Sequence, residues 1–336
     1  MVVMLYVRFP LPLRNVEDLA FERGVDTCHE TVRLWVSRFG PMFASKIRSR
    51  RVQAMLQNTQ WRWHLDEVFV RVNGERRYLW RAVALSAQTH HPVTEAAETA
   101  GMAKSDNPFR WFDSSPEVIQ MVVMLYVRFP LSLRNVEDLT FERGVDICHE
   151  TVRKWVNRFG PMFASKIRSR RVQAMRQHTH WRWHLDEVFV RVNGERHYLW
   201  RAVDHEGEVL ESFVTKKRDK AAALKFLRKA LKRHGPPGVI VTDRLRSYRA
   251  AMKHLGNAGR QEVGRWLNNR AENSHLPFRR RERAMQRFRR MQTLQRFVST
   301  HAAFHNHFSQ ERHLVSRQEY RTRRSAALAE WKSIVV

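Results

Sequence analysis

Three acidic residues, Asp186, Asp243 and Glu272, stand among neighbours that do not suit a solvated carboxylate. Asp186 interrupts the alternating stretch WHLDEVFVRV between Leu185 and Val188. Asp243 closes the short apolar run VIVTD, and Glu272 lies near the start of a late basic segment, in NNRAENSH. A charge among apolar strand residues is destabilising unless something pairs with it, and a divalent cation is the natural partner where several carboxylates converge. Two such ions about 4 Å apart activate a water or a nucleic-acid 3′-hydroxyl and stabilise the leaving oxygen of an in-line phosphoryl displacement. Hard oxygen ligands without a nearby Cys select Mg²⁺ or Mn²⁺ over zinc. Taken singly, each acid is more often a salt-bridged or turn-capping residue; the three in this order point to a metal site.

The elements that must position them follow from periodicity. From Trp183 to about Lys217 the chain alternates and is rich in Val, Phe, Tyr and Trp. With Asn193-Gly194 and Glu206-Gly207 as turns, this predicts three antiparallel strands. DKAAALKFLRKALKRHG then carries Ala222, Leu224, Leu227, Ala230 and Leu231 at helical spacing, up to Gly235. After Pro236-Pro237-Gly238 comes VIVTD as a central buried strand, then SYRAAMKHLG as a helix, and from about Asn269 a long basic helical region. Three strands, helix, strand, helix and a further helix is the order of an RNase H-like fold, a mixed five-stranded α/β sheet with helices. Arg279, Arg280, Arg281, Arg283, Arg287, Arg289 and Arg290 follow Glu272 on what is expected to be the same helix. There they would hold a nucleic-acid backbone against the metals, the alternative being a solvated face. His301, His305, His307 and His313, with Phe304 and Phe308 interleaved, read as partly buried structural residues.

Ahead of the strands the pattern is helical. Leu133, Val136, Leu139 and Phe141 form a short amphipathic helix, Gly144 supplies a left-handed turn, and His149, Glu150 and Thr151 open a second helix. That helix carries Val152, Trp155, Val156 and Phe159 and is expected to close at Gly160-Pro161. Helix, glycine turn, helix is a helix-turn-helix, with a plain helical hairpin as the alternative. Arg153, Lys154, Asn157 and Arg158 on the second helix are the candidates for contacts in the major groove. Composition agrees: 61 Lys+Arg against 33 Asp+Glu, a net charge of +28, suits a chain whose partner is a polyanion. The basic residues are spread along the chain rather than gathered beside one anchor, which favours nucleic acid over a membrane surface. Only two Cys occur, Cys28 and Cys148, so no disulfide framework or cysteine zinc site is supported and a reducing cytoplasm fits.

Residues 1–83 align without a gap to 121–203, differing at nine positions (12, 20, 27, 34, 37, 56, 58, 60 and 77, with their partners 120 residues on). One long unit repeated once at near identity is a duplication, not a solenoid. Copy one breaks into a polar small-residue stretch after Val83, whereas copy two runs on through patterned sequence, so copy two is read as the working one and Met102 as a natural beginning. The expected organisation is a truncated duplicate at 1–83, a linker at 84–115, a helix-turn-helix domain at 116–178, the RNase H-like domain at 179–310 and a helical tail at 311–336. Asp66, the counterpart of Asp186, lacks partner acids and is expected to bind no metal; 1–83 should form at most a helical DNA-binding unit.

The strings WHLDEV, VTDRLRSY and GRWLNNRAENSHLPFRRRERAMQRFRRM resemble the signatures of bacterial DDE transposases of the IS-six insertion-sequence family, over about 102–336. The resemblance implies a helix-turn-helix for the terminal inverted repeats, a triad of Asp186, Asp243 and Glu272, Mg²⁺-dependent 3′-end cleavage and strand transfer, and a homo-oligomer in the bacterial cytoplasm, near the nucleoid. Asp243 and Glu272 are separated by 28 residues, a shorter spacing than the family usually shows, and the extra copy is foreign to its plan. A catalytically inactive DNA-binding protein, a decayed transposase or a repressor, shares every feature except a metal-competent triad. An RNase H-like nuclease is a second alternative.

Overall fold

The computed structural model describes residues 1–56, 62–73, 75–85, 108–110, 112–175, 182–264, 267–285, 288–309 and 315–334. Copy one forms α1 (Val2–Arg8), α2 (Leu13–Glu22), α3 (His29–Leu56) and a hairpin of β1 (Arg62–Val72) and β2 (Glu75–Leu85). It therefore goes beyond the helical unit expected of it, because the same residues that build the first two strands of copy two also pair here. Most of the expected linker, 86–107, and Arg287 and His313 lie outside the described residues.

Copy two opens with α4 (Pro116–Arg128), α5 (Leu133–Phe141) and α6 (His149–Met175). Gly144 takes φ +75° between α5 and α6, as its role in the turn requires. Ser132 caps α5: its hydroxyl accepts from the Asn135 amide at 3.1 Å, and the Asn135 side chain accepts in return from the Ser132 amide at 3.0 Å. Copy one has Pro12 at this position and no side-chain cap. Ser132→Ala is expected to lower stability by about 1 kcal/mol in urea titrations.

Two expectations need correcting in this module. The helix does not close at Gly160-Pro161 but runs on to Met175. Buried Phe159, Phe163, Ala164 and Ile167 continue its apolar face across the proline, and Thr300 of the later helix packs beside Gly160, 3.5 Å from where a Cβ would stand. Burial of those side chains outweighs the ~3 kcal/mol that an interior proline costs. Phe141, expected on the apolar face of α5, is 68% exposed.

The sheet consists of β3 (Arg182–Val192), β4 (Glu195–Asp204), β5 (Val209–Thr215), β6 (Val239–Thr242) and β7 (Gln261–Val263), in the order β5-β4-β3-β6-β7. The first three are antiparallel, β6 runs parallel to β3 and β7 parallel to β6. A meander continued by two parallel strands on the side of its first strand is the RNase H-like arrangement foreseen. Asn193 and Gly194, at φ +51° and +84°, make the tight β3–β4 turn.

On one face, α7 (Lys220–His234) and α8 (Arg246–His254) cover Trp183, Leu185, Trp200 and Ile240. On the other, α9 (Asn269–Ala284) and α10 (Met291–Phe308) enclose Val190, Val192 and Leu199 in a core that continues into α4–α6, and α11 (Arg317–Lys332) closes it with Trp331. No helix among the described residues is long and apolar enough to cross a membrane.

Candidate metal centre and nucleic-acid interface

The parallel pairing of β3 with β6 ends at Leu185 opposite Thr242. One residue further along, Asp186 and Asp243 stand side by side where β6 turns away, and Glu187 follows on the same free edge. Consecutive strand residues face opposite sides of a sheet, but at this edge both acids can reach round. One carboxylate oxygen from each of Asp186, Glu187 and Asp243 lies within 4.8 Å of the others.

Two cations and a histidine frame the group. Arg218, in the loop before α7, pairs with Glu187 and stands 3.7 Å from Asp243. His275 on α9 places Nε2 3.2 Å from Asp186 Oδ2. Arg201, opposite Asp186 in the β3–β4 register, is buried and donates to the Ser274 carbonyl of α9. Its guanidinium is held down to about 10 by burial, offset by Asp186. The Asp243 Oδ1 accepts from the Leu245 amide at 3.0 Å, which orients the carboxylate at the strand's end.

The electrostatics are those of a cluster with more negative charge than its neighbours neutralise. Burial, then the charge of Asp243, pushes Glu187 up from 4.5 to about 7, against the pull of Arg218. Burial likewise raises Asp243, and it lowers His275 against the opposing pull of Asp186. Tyr248, buried beneath Glu187, is raised well above 10 by its burial and the neighbouring acids. Glu187 also leaves Oε2 buried without a hydrogen-bond partner. A hard divalent cation meets each of these features, because it neutralises converging carboxylates and takes oxygen ligands.

The sequence-predicted acids divide. Asp186 and Asp243 come together; Glu272, on the first turn of α9, is exposed and lies outside the group, one helical turn from His275. Glu187, His275, Arg218 and Arg201 were missed. The doublet in WHLDEV was a signal for the first, and the other three come from separate elements that only the fold joins. Asp66 lies on β1, with its side chain outside those described.

Arg153, Lys154, Asn157 and Arg158 are all exposed on α6. Arg153 and Asn157 border a groove of about 710 Å³ whose other walls carry Arg134, Arg289, Arg290 and Arg296. Copy one has Leu34 and Ser37 where copy two has Lys154 and Asn157, so the two helices do not present the same donors. Of the late arginines, Arg280 and Arg283 are exposed, and Arg279 is engaged with Glu282 at 2.7 Å.

Arg281 is a correction: it is 1% exposed, donates to the Tyr126 carbonyl at 2.7 Å and stacks on the Tyr126 ring at 4.2 Å, so it joins α9 to α4 rather than meeting solvent. Arg289 and Arg290 are not on the helix of Glu272, since α9 ends at Ala284 and Phe288 is drawn to the sheet, where its carbonyl accepts from the Asn193 amide at 2.8 Å. His301 and His307 are buried, and His307 Nε2 lies 2.8 Å from the Ala327 carbonyl. Burial holds His305 down to about 4, as for structural histidines.

A sequence model described as a DDE domain matches residues 60–95 and 180–311, the second stretch containing Asp186, Asp243 and Glu272. The transposase for insertion sequence-like element IS431mec of Staphylococcus aureus is 30% identical over 174 residues, which span 50% of this chain and 75% of that protein. The transposase for insertion sequence element IS257 in transposon Tn4003, also of Staphylococcus aureus, matches to the same extent, 30% over 174 residues. Among solved structures, a chain of a simian T-cell lymphotropic virus intasome in complex with PP2A regulatory subunit B56 gamma has a TM-score of 0.28 at 16% identity, covering 38% of this chain and 48% of that one.

Proposed function

Since the chain belongs to the DDE transposases of insertion sequences, we propose that copy two binds the terminal inverted repeats of its element and carries out Mg²⁺-dependent 3′-end cleavage and strand transfer at the end of the β3–β6 pair. The observation that carries this reading is the convergence of Asp186, Glu187 and Asp243 within 4.8 Å. Asp186 and Asp243 hold the metal. Glu272 is the third carboxylate, carried by the helix whose next turn already touches Asp186 through His275. Glu187, paired with Arg218 and titrating near 7, serves as a proton-holding neighbour. When bound, two Mg²⁺ ions supply Lewis-acid activation of the attacking oxygen and neutralise the leaving one. His275 and buried Arg201 orient Asp186 toward the site.

The exposed donors of α6 read the ends, Asn157 by base contact and Arg153, Lys154 and Arg158 by contact with phosphates or guanines. Arg280, Arg283, Arg289 and Arg290 position the backbone. Incubated with Mg²⁺ and a donor carrying defined ends, the protein should join donor 3′-ends to a target plasmid. Nicking without joining would favour a simple nuclease, and binding without cleavage a DNA-binding protein.

Each of Arg153→Ala, Lys154→Ala and Arg290→Ala should flatten the slope of log K against log salt by roughly 0.9, one phosphate's share of counterion release. Arg281→Ala should leave that slope alone and lower stability instead. A flattening by Arg281→Ala equal to the others would contradict this division of roles.

A further inference from the structure

The two copies face each other through ion pairs that are mirror images. Arg8 of copy one meets Asp138 at 3.2 Å and Glu142 at 2.6 Å in copy two. Arg128, the counterpart of Arg8, meets Asp18 at 3.2 Å and Glu22 at 2.5 Å, the counterparts of Asp138 and Glu142. Arg23 and Arg143, also counterparts, approach each other, Arg23 beside Glu142 and Arg143 beside Glu22. A patch whose residue i meets j while j meets i is self-complementary, the signature of a two-fold interface between identical subunits.

One half of this interface has more than the other. Helix α11 lays Arg324 over the Phe21 ring at 3.6 Å and against Asp18 at 3.3 Å, and Arg321 meets Asp26 at 2.8 Å. Copy one has no counterpart of α11, so among the described residues the two-fold-related Phe141, Asp138 and Asp146 meet no such helix. Phe141 is accordingly 68% exposed. A second complete chain would bring its own Arg324 and Arg321 to these positions.

We propose that the α4–α5 face of copy two is a homodimer surface made for a second copy of this chain, and that copy one is a built-in stand-in that occupies it. The fused segment thereby closes the face and keeps two full-length chains from pairing through it. This inference is independent of the metal reading, because it rests on none of the residues of the acidic cluster.

The test uses the full chain and sedimentation equilibrium at micromolar concentration. The triple change Arg8→Glu, Asp18→Arg and Glu22→Arg makes copy one repel copy two while leaving the α4–α5 face of copy two untouched, and it should double the mass relative to the unmodified chain. Adding Arg128→Ala, Asp138→Ala and Glu142→Ala removes the charges through which a second chain would pair with copy two and should return the mass to the starting value. An unchanged mass in the triple variant, a change other than doubling, or a doubling that survives the second set of changes overturns the proposal.

Discussion

Asp243→Asn and Asp186→Asn should each reduce strand transfer by ~10³-fold or more while leaving binding of the transposon ends within about twofold, since a metal's stabilisation of transition-state charge amounts to several kcal/mol. The amide keeps the shape of the carboxylate, so β3 and β6 stay paired and the α6 donors remain in place. What it removes is a negative oxygen from a group in which burial already raises Asp243 and Glu187. Asp243→Asn should also make the metal-free protein slightly more stable, because it relieves repulsion among crowded acids, whereas Asp186 additionally balances buried Arg201 and its replacement should not. Lower activity with higher stability is the mark of a strained functional cluster rather than a structural ion pair. Glu272→Gln should abolish joining to a similar degree and Glu187→Gln only in part; the reverse order would transfer the third metal-holding role to Glu187.

The second large effect is on stability against pH. Glu187 is raised from 4.5 to about 7 in the folded chain, mainly by burial. The folded state therefore binds a proton that the unfolded state has released between these values. Its contribution to stability is complete below 4.5 and is lost as pH rises through about 7. The interval corresponds to about 3 kcal/mol. In EDTA, urea titrations of the unmodified chain should show stability falling from pH 5 to pH 8. Glu187→Gln should flatten that fall and be the more stable protein at pH 8. Parallel curves for the two proteins would show that Glu187 does not hold its proton in the fold.

Local pattern carried much of this structure. Alternation in WHLDEVFVRV and the apolar run VIVTD put Asp186 and Asp243 on strands, and Asn193-Gly194 and Gly144 marked turns whose positive φ the structure bears. What escaped was set by contacts between distant segments. Strand β7 is three half-exposed residues, too short to show a period. The continuation of α6 past Pro161 goes with the burial of Phe163, Ala164 and Ile167 against distant segments. Arg281 looked like one cation in a basic run, and only the arrival of α4 beneath α9 buries it. The place of Glu187 beside Asp243 depends on where β6 stops pairing with β3, a register that no local pattern encodes. Phe141 is exposed for a related reason, since α11 lies over its copy-one counterpart Phe21 instead.

The most direct test of the metal centre is anomalous diffraction from crystals of the full chain soaked in Mn²⁺. The expected result is a peak ~2.0–2.3 Å from carboxylate oxygens of Asp186 and Asp243, absent in Asp243→Asn crystals. Saturating Mn²⁺ with no density there, or a peak unchanged by Asp243→Asn, would contradict the account.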